Sequence, residues 1–347
     1  MARPQPGRGR DLVVMGASAG GVEALRALVA HLPADLPATV LVVLHVPRGG
    51  FSALPSILRR SGPLAAEVAF DGAPLRRGQI FVAPTDHHLL VADGRVRLSR
   101  GPTDNGHRPA IDPLFRSAAR AMGSRVIGVV LSGTLDDGST GLASIAAHGG
   151  IALVQKPTDA LYSGMPTSAL ELVPTAEVAT AAELGPLVAR HTGDDVPWPP
   201  PAPEFDPNPV DLVNSGTREV GDPPPVFACP TCQGGLYEIR SRDAIWYRCR
   251  IGHLWSPQSL LDEQGNALEA ALWMALRSLA EKAALARRMA KAGHARGSEF
   301  AATRYTARAI EAESAAKLIG ELIAQGDALT HADDTEMSAT PEPDRAG

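Results

Sequence analysis

Between Asp11 and about His191, short β-branched runs alternate with longer stretches whose apolar residues recur at helical spacing. The runs LVVMG at 12–16, TVLVVLH at 39–45, QIFVAP at 79–84, RVIGVVLSG at 125–133 and GIALVQ at 150–155 predict strands. Val22 to His31, Asp112 to Met122 and Gly141 to His148 predict helices between them. This order predicts a parallel sheet covered by helices. One interruption is expected, because HLLVADGRVRLS sets Asp93-Gly94 between two alternating runs, the pattern of a β-hairpin.

The pattern changes after His191. Residues 192–225 include PWPPPAPEFDPNP, which lacks the backbone donors for a helix or central strand and reads as a linker. A short cysteine-bearing module at 226–262 follows, then two alanine-rich helical segments, Asn266 to Lys291 and Glu299 to Gln325, joined by a Gly-His-Ala-Arg-Gly turn. The segment 263–329 is thus expected to be a helical hairpin, with residues 1–10 and 330–347 disordered. Leu268, Leu272, Leu276 and Leu279 form one stripe, with Trp273 nearby. Such a stripe is core if covered, and a docking or dimerisation surface if exposed. The fold expected is α/β: a three-layer, doubly wound, mostly parallel sheet with a β-hairpin, followed by a small zinc-ribbon-like module and an α-helical hairpin.

Composition narrows the function classes. The 33 Lys and Arg against 38 Asp and Glu leave a formal charge of -5, so no global cationic field attracts nucleic acid or anionic membrane. No apolar run approaches the roughly 20 residues of a membrane span, and the opening MARPQPGRGR lacks the apolar core of a signal peptide. A cytoplasmic protein without membrane insertion is expected. The three cysteines, Cys229, Cys232 and Cys249, cluster in one region, which favours metal ligation over a disulfide framework.

The turn VVMGASAGG leaves the first strand and opens the first helix. It suits either a dinucleotide phosphate or a G-x-S-x-G nucleophile elbow. A dinucleotide site needs an acidic residue at the end of the second strand, where this chain has His45, and the glycine spacing departs from G-x-G-x-x-G. The elbow reading makes Ser18 a nucleophile; the plainer alternative makes it a helix cap. In a parallel sheet the C-terminal ends of all strands share one edge, so Ser18, His45 and the acids after RVIGVVLSG, Asp136 and Asp137, converge. A base and an orienting carboxylate beside a serine would complete a triad. Taken singly, His45 also reads as a core histidine, and the acid pair as a helix cap.

From Asp11 to Leu172 the chain resembles the CheB-type protein-glutamate methylesterases of chemotaxis-like bacterial signalling. The resemblance rests on GASAGGVEAL, VVLHVP, IFVAPTDHHLLV, HRPAIDPLFRSAA, LSGTLDDGSTGL and GMPTSAL, in that order. It implies Ser18 as nucleophile, His45 as general base and then acid, and Asp137, immediately before Gly138, as the orienting carboxylate. It also implies the backbone N–H groups of Ala19 and Thr134 as oxyanion donors, with the side chains of Thr134, His107 and Arg108 as further substrate candidates. The implied reaction is hydrolysis of glutamate methyl esters on a methylated receptor-like protein, with glutamine deamidation alongside, and no catalytic cofactor. Relatives in chemotaxis carry a phosphorylatable receiver domain ahead of this segment; ten residues precede Asp11 here, so control by phosphorylation is not expected. An adaptor that keeps the fold for binding, or a hydrolase of small esters, are the alternatives.

Cys229-Pro-Thr-Cys232 and Cys249-Arg-Ile-Gly-His253 give C-x2-C and C-x3-H, a tetrahedral zinc set with no open position, hence structural zinc. The alternative is three reduced cysteines without metal. Arg240, Arg242, Arg248, Arg250, Trp246 and Tyr247 lie near this set but read equally as a solvated strand face, so nucleic acid is not the expected partner. The partner expected is the methylated receptor-like substrate, and the C-terminal helices are a candidate surface for a partner signalling protein.

Overall fold

The computed structural model describes residues 9–46, 52–196, 225, 227–240 and 245–336, with side chains through residue 324. The chain divides into two compact units, Met1–Leu260 and Leu261–Gly347.

The first unit is built on a seven-stranded sheet in the order β3-β4-β2-β1-β7-β8-β9, every pair of neighbours parallel. Its strands are β1 (Leu12–Ala17), β2 (Thr39–Leu44), β3 (Ala65–Val68), β4 (Gln79–Val82), β7 (Val126–Val130), β8 (Ile151–Gln155) and β9 (Glu177–Ala179). The expected strands are the five central ones. They are legible because both faces are buried: Leu12 and Val14 face one apolar cluster, Val13 and Met15 the other.

Each cluster is closed by helices. Leu25 and Leu28 of α1 (Gly21–Val29), Leu58 of α2 (Leu54–Ser61) and Leu184 and Val188 of α6 (Ala181–Thr192) complete one face. Leu114, Phe115 and Ala118 of α3 (Ile111–Met122), Leu142 and Ile145 of α4 (Ser139–Ala147) and Met165 and Ala169 of α5 (Gly164–Leu172) complete the other. The hairpin of β5 (His88–Ala92) and β6 (Arg95–Ser99) adds Leu89, Val91 and Val96 to that second face. Its turn residues Asp93 and Gly94 both hold positive φ (52° and 67°), as a tight two-residue hairpin requires.

In this strand order the chain reverses direction across the sheet at β1, whose neighbours are β2 and β7. The crevice beyond the C-terminal ends of β1 and β7 is therefore the topological switch point where open α/β sheets bind ligands.

The cysteine-bearing segment forms a separate antiparallel sheet of β10 (Phe227–Ala228), β11 (Gly235–Arg240), β12 (Ile245–Cys249) and β13 (Leu254–Trp255). The sequence suggests a module held at the end of a linker. In the structure this ribbon belongs to the same compact unit as the α/β sheet, with Cys229, Leu236, Cys249, Trp255 and Leu260 in its core. Residues 197–224 of the expected linker, and Arg242, lie outside the described residues.

The C-terminal helices are longer than their sequence pattern suggests: α7 spans Pro257–Ala295 and α8 Glu299–Glu336. The first begins inside the segment assigned to the ribbon, where Ser256 caps it by accepting the N–H of Ser259 at 3.0 Å. The second runs into the tail expected to be disordered. In the second unit Arg287 forms a two-pronged ion pair with Glu313, and Ala283, Ala286, Ala290, Ala302, Ala309 and Ala312 are buried. Leu268 and Trp273 of the expected stripe are exposed, whereas Leu272, Leu276 and Leu279 are half-buried. Gly9 bridges Asp195 and Arg10 pairs with Asp194, so the last residues of the expected disordered N-terminus are ordered.

Candidate active site

Ser18 follows β1 and stands before α1. Its N–H donates to the Ser132 carbonyl at 2.9 Å, and its own carbonyl accepts from Gly21 at 2.9 Å, so the turn is locked to the end of β7. The N-cap of α1 is Gly20, at φ 68°, with no side-chain cap bond. Ser18 is therefore not a helix cap. Nor is the turn an open phosphate cradle: a Cβ on Gly20 would lie 2.7 Å from Ser132 Oγ and 2.8 Å from Leu161 Cβ. The glycine supplies a left-handed turn and a close approach.

His45 stands one residue beyond β2, its N–H on the Ala17 carbonyl at 3.1 Å. Its Nδ1 is 3.2 Å from Ser18 Oγ and its Nε2 is 2.7 Å from Asp137 Oδ2. An ionised carboxylate only accepts, so Nε2 carries the proton and Nδ1 faces Ser18 as a base. The familiar serine-protease triad uses the two ring nitrogens the other way round.

Asp137 is almost wholly buried, and its carboxylate also accepts the N–H groups of Ile111 (2.7 Å) and Asp112 (3.1 Å) at the start of α3. Burial alone would raise its pKa, but the His45 hydrogen bond and charge and the Ile111 N–H outweigh it and hold the group at about 2. The neighbouring Asp136 turns away and accepts from Ser259 Oγ at 2.8 Å. The acid loop carries Leu135 at φ 61°, a conformation that a leucine adopts at some cost. It is clamped from α5 and the residues just before it: Gly133 N–H donates to the Tyr162 carbonyl, Met165 N–H to the Gly133 carbonyl, and Ser168 Oγ to the Leu135 carbonyl.

The other expected residues separate. His107 stacks face to face on His45, ring centroids 3.8 Å apart, and so bears on the base directly. Ala19 and Thr134 flank the serine turn and the acid loop, Thr134 exposed. Arg108 is committed elsewhere, bound to both sides of a buttress made by Asp86 and by the carbonyls of Arg100 and Gly101.

Sequence pattern did not single out the residues that support this constellation. His88 donates from Nε2 to the Pro102 carbonyl and accepts the Ala110 N–H at Nδ1, pinning both ends of the 102–110 loop; burial lowers its pKa, keeping it neutral. Arg116 pairs with Asp104 and, at 3.7 Å, with Asp112. Burial and the Asp137 charge push Asp112 up to about 8, against the pull of Arg116, while its oxygens accept Thr140 Oγ1 and Gly141 N–H at the start of α4. Gln155 holds the Ser132 N–H at 2.9 Å. Each of these is an ordinary polar residue until the fold brings its partner from a different element.

The Cys229, Cys232, Cys249 and His253 ligand atoms lie within 4.8 Å of one another, with separations of 3.7 Å for Cys232 to Cys249 and 3.4 Å for Cys249 Sγ to His253 Nδ1. Thiolates about 2.3 Å from a tetrahedral zinc stand ~3.8 Å apart, so the donor set fits the ion. Two tight turns present them, one with Gln233 at φ 61° and the other with Gly252 at φ 108°.

Comparison with known proteins points to one family. Among curated relatives, the protein-glutamate methylesterase/protein-glutamine glutaminase of Symbiobacterium thermophilum is 38% identical over 186 residues, covering 53% of this chain and 51% of that protein. A second protein of that name from Anaeromyxobacter dehalogenans is 41% identical over 162 residues, 47% of this chain and 48% of its own. The chain thus spans about half the length of the curated relatives it matches. The crystal structure of the Thermotoga maritima CheB methylesterase catalytic domain aligns with a TM-score of 0.50 at 30% identity, covering 52% of this chain and 97% of that one. The family model described as CheB methylesterase matches residues 13–188, more than half of the sequence and all three members of the Ser18, His45 and Asp137 constellation, and the chain belongs to that family.

Proposed function

We propose that this protein is a serine esterase that hydrolyses glutamate methyl esters on a receptor-like protein, and the corresponding glutamine amides, by a Ser18, His45 and Asp137 triad. The observation that carries the reading is the unbroken hydrogen-bond path from Ser18 Oγ through His45 to Asp137, in a chain of the CheB methylesterase family. His45 Nδ1 takes the hydroxyl proton as Ser18 Oγ bonds to the ester carbon, and the negative charge moves to the carbonyl oxygen. The N–H groups of Ala19, at the positive end of α1, and of Thr134 are the donors proposed for that oxygen. Collapse expels methanol, which leaves with the proton from His45; for an amide the leaving group is ammonia. Water then adds to the acyl-serine, giving its proton to His45, and the free carboxylate departs as Ser18 recovers its hydrogen. The reaction consumes only water.

Zinc is the ion proposed for the Cys229, Cys232, Cys249 and His253 set; four protein ligands leave no open position, so it would supply stability and no chemistry. Exposed apolar side chains of the second unit, among them Trp273, Met274, Leu285 and Phe300, support docking of a partner protein there. No helix among the described residues is long and apolar enough to cross a membrane.

The test incubates a methylated receptor-like protein with wild type and with Ser18→Ala and measures methanol. The variant is expected to lose on the order of 10⁶-fold in kcat, as triads act as a unit. Release from neither protein, with hydrolysis of a small activated ester intact in wild type, would replace the protein substrate by a small ester.

A further inference from the structure

The ribbon is joined to the active site on two sides. Strand β13 lies along the loop that carries His107: Asn105 N–H donates to the Leu254 carbonyl at 2.8 Å, and Leu254 N–H to the Thr103 carbonyl at 3.3 Å. Asn105, held at φ 49°, accepts the Ser256 N–H at Oδ1, 2.9 Å away. The ring of Trp255, itself buried, closes over Gly106, where a Cβ would meet it at 3.2 Å. Asp104 and His107 exchange backbone hydrogen bonds at 3.2 and 2.9 Å across this turn, so the strand addition fixes the residue that stacks on His45. From the first turn of α7, the hydroxyl of Ser259 holds Asp136, whose neighbour is Asp137. Leu254 and Trp255 follow His253 directly, and Trp255 shares a core with Cys229 and Cys249. His253 of the metal-ligand cluster is therefore adjacent to the strand that braces the loop of His107, whose ring stacks on His45.

We infer that the ribbon is a positioning clamp on the catalytic centre: Asn105, Trp255 and Ser259 couple the Cys229, Cys232, Cys249 and His253 cluster to the His107 loop and to the acid loop, so that the activity of Ser18 depends on the cluster being intact. Bonds spanning two walls of a site hold its groups within the fraction of an ångström that a triad requires. The clamp rests on the esterase reading for its consequence, but not for its geometry.

The experiment uses the full chain. Rates of Ser18 labelling by a fluorophosphonate and kcat and KM for a small activated ester are measured for wild type, Cys249→Ser, and a paired Asn105→Gly, Ser259→Ala variant, with zinc content alongside. Cys249→Ser is expected to lose zinc and to slow labelling and kcat at least ~10-fold, with KM little changed. The paired variant keeps the metal ligands and the left-handed turn; it is expected to retain zinc yet lose several-fold in kcat. Adding it to Cys249→Ser should cost little more, because the same brace has already gone. The imidazole ¹⁵N resonances of His45 and His107 report the coupling without turnover and should move in both variants. Resonances and labelling rates unchanged in the zinc-retaining pair would overturn the clamp even if Cys249→Ser fails to fold. Absence of Ser18 labelling in wild type would instead count against the esterase reading, and the resonances would still decide the clamp.

Discussion

Asp137 accepts three hydrogen bonds, one from His45 and two from the first turn of α3, so it both orients the base and caps a helix. Asp137→Asn leaves an amide that donates where the site offers only donors. Activity is expected to fall about 10⁴-fold, as the base loses its tautomer. Stability follows from the sign of the shift. The folded value of about 2 lies below the ordinary 3.8, so the contribution is present in full above about 4 and is lost as pH falls through 2. It amounts to about 2 kcal/mol. Urea unfolding between pH 7 and pH 2 should show a fall for wild type that is flattened in the variant, which starts lower; parallel curves would remove Asp137 from the acid response. The serine, the histidine and the acid were legible because parallel strands bring their ends to one edge. The choice of Asp137 over Asp136 needed the family resemblance, since the sequence offers two adjacent carboxylates and only the backbone turn at Leu135 sends one to His45 and the other to Ser259. A guanidinium beside a site reads the same in sequence whatever it meets; Arg108 pairs with Asp86.

Among elements, legibility tracks burial. The five central strands appear as apolar runs, whereas the edge strands β3 and β9 are short and show exposed positions such as Val68 and Val178, so neither has a periodic signature. Helix α2 is only 8 residues long and α6 carries Pro186 in its interior, which weakens the pattern of each. The β5–β6 hairpin is legible from Asp93-Gly94 between two alternating runs, and its turn is a clean test of local backbone energy. A Cβ at Gly94 meets nothing within 4 Å, so Gly94→Val acts through φ 67° and not through a clash. It is expected to cost about 1–2 kcal/mol, lowering Tm by roughly 3–6 °C with kcat unchanged. A loss of kcat at constant Tm would mean that the hairpin tip reaches the chemistry. The docking of β13 on the 103–107 loop left no trace in the sequence, because a bond such as Asn105 to Ser256 joins positions 151 residues apart.

At the scale of the whole molecule the two compact units meet after Leu260, the fourth residue of α7. The α/β sheet, the triad, the metal-ligand cluster and both sides of the proposed clamp all lie before the boundary, and the first turn of α7 belongs with them because Ser259 binds Asp136 and Leu260 packs in the ribbon core. That turn also has its own start signal, with Ser256 accepting from Ser259 N–H through its hydroxyl and from Leu260 N–H through its carbonyl. A chain ending at Leu260 is therefore expected to unfold cooperatively, to hold the same zinc per chain as the full protein, and to label at Ser18 within about twofold of its rate, since each group in the proposed reaction and its supports is retained. Ending instead at Leu254 removes Trp255, Ser256 and Ser259 and is expected to slow labelling at least ~10-fold, as fewer restraints hold the catalytic groups. Equal rates for the two truncations would separate the ribbon from catalysis. A slow chain ending at Leu260 would show that the first unit alone does not hold the reacting groups in place.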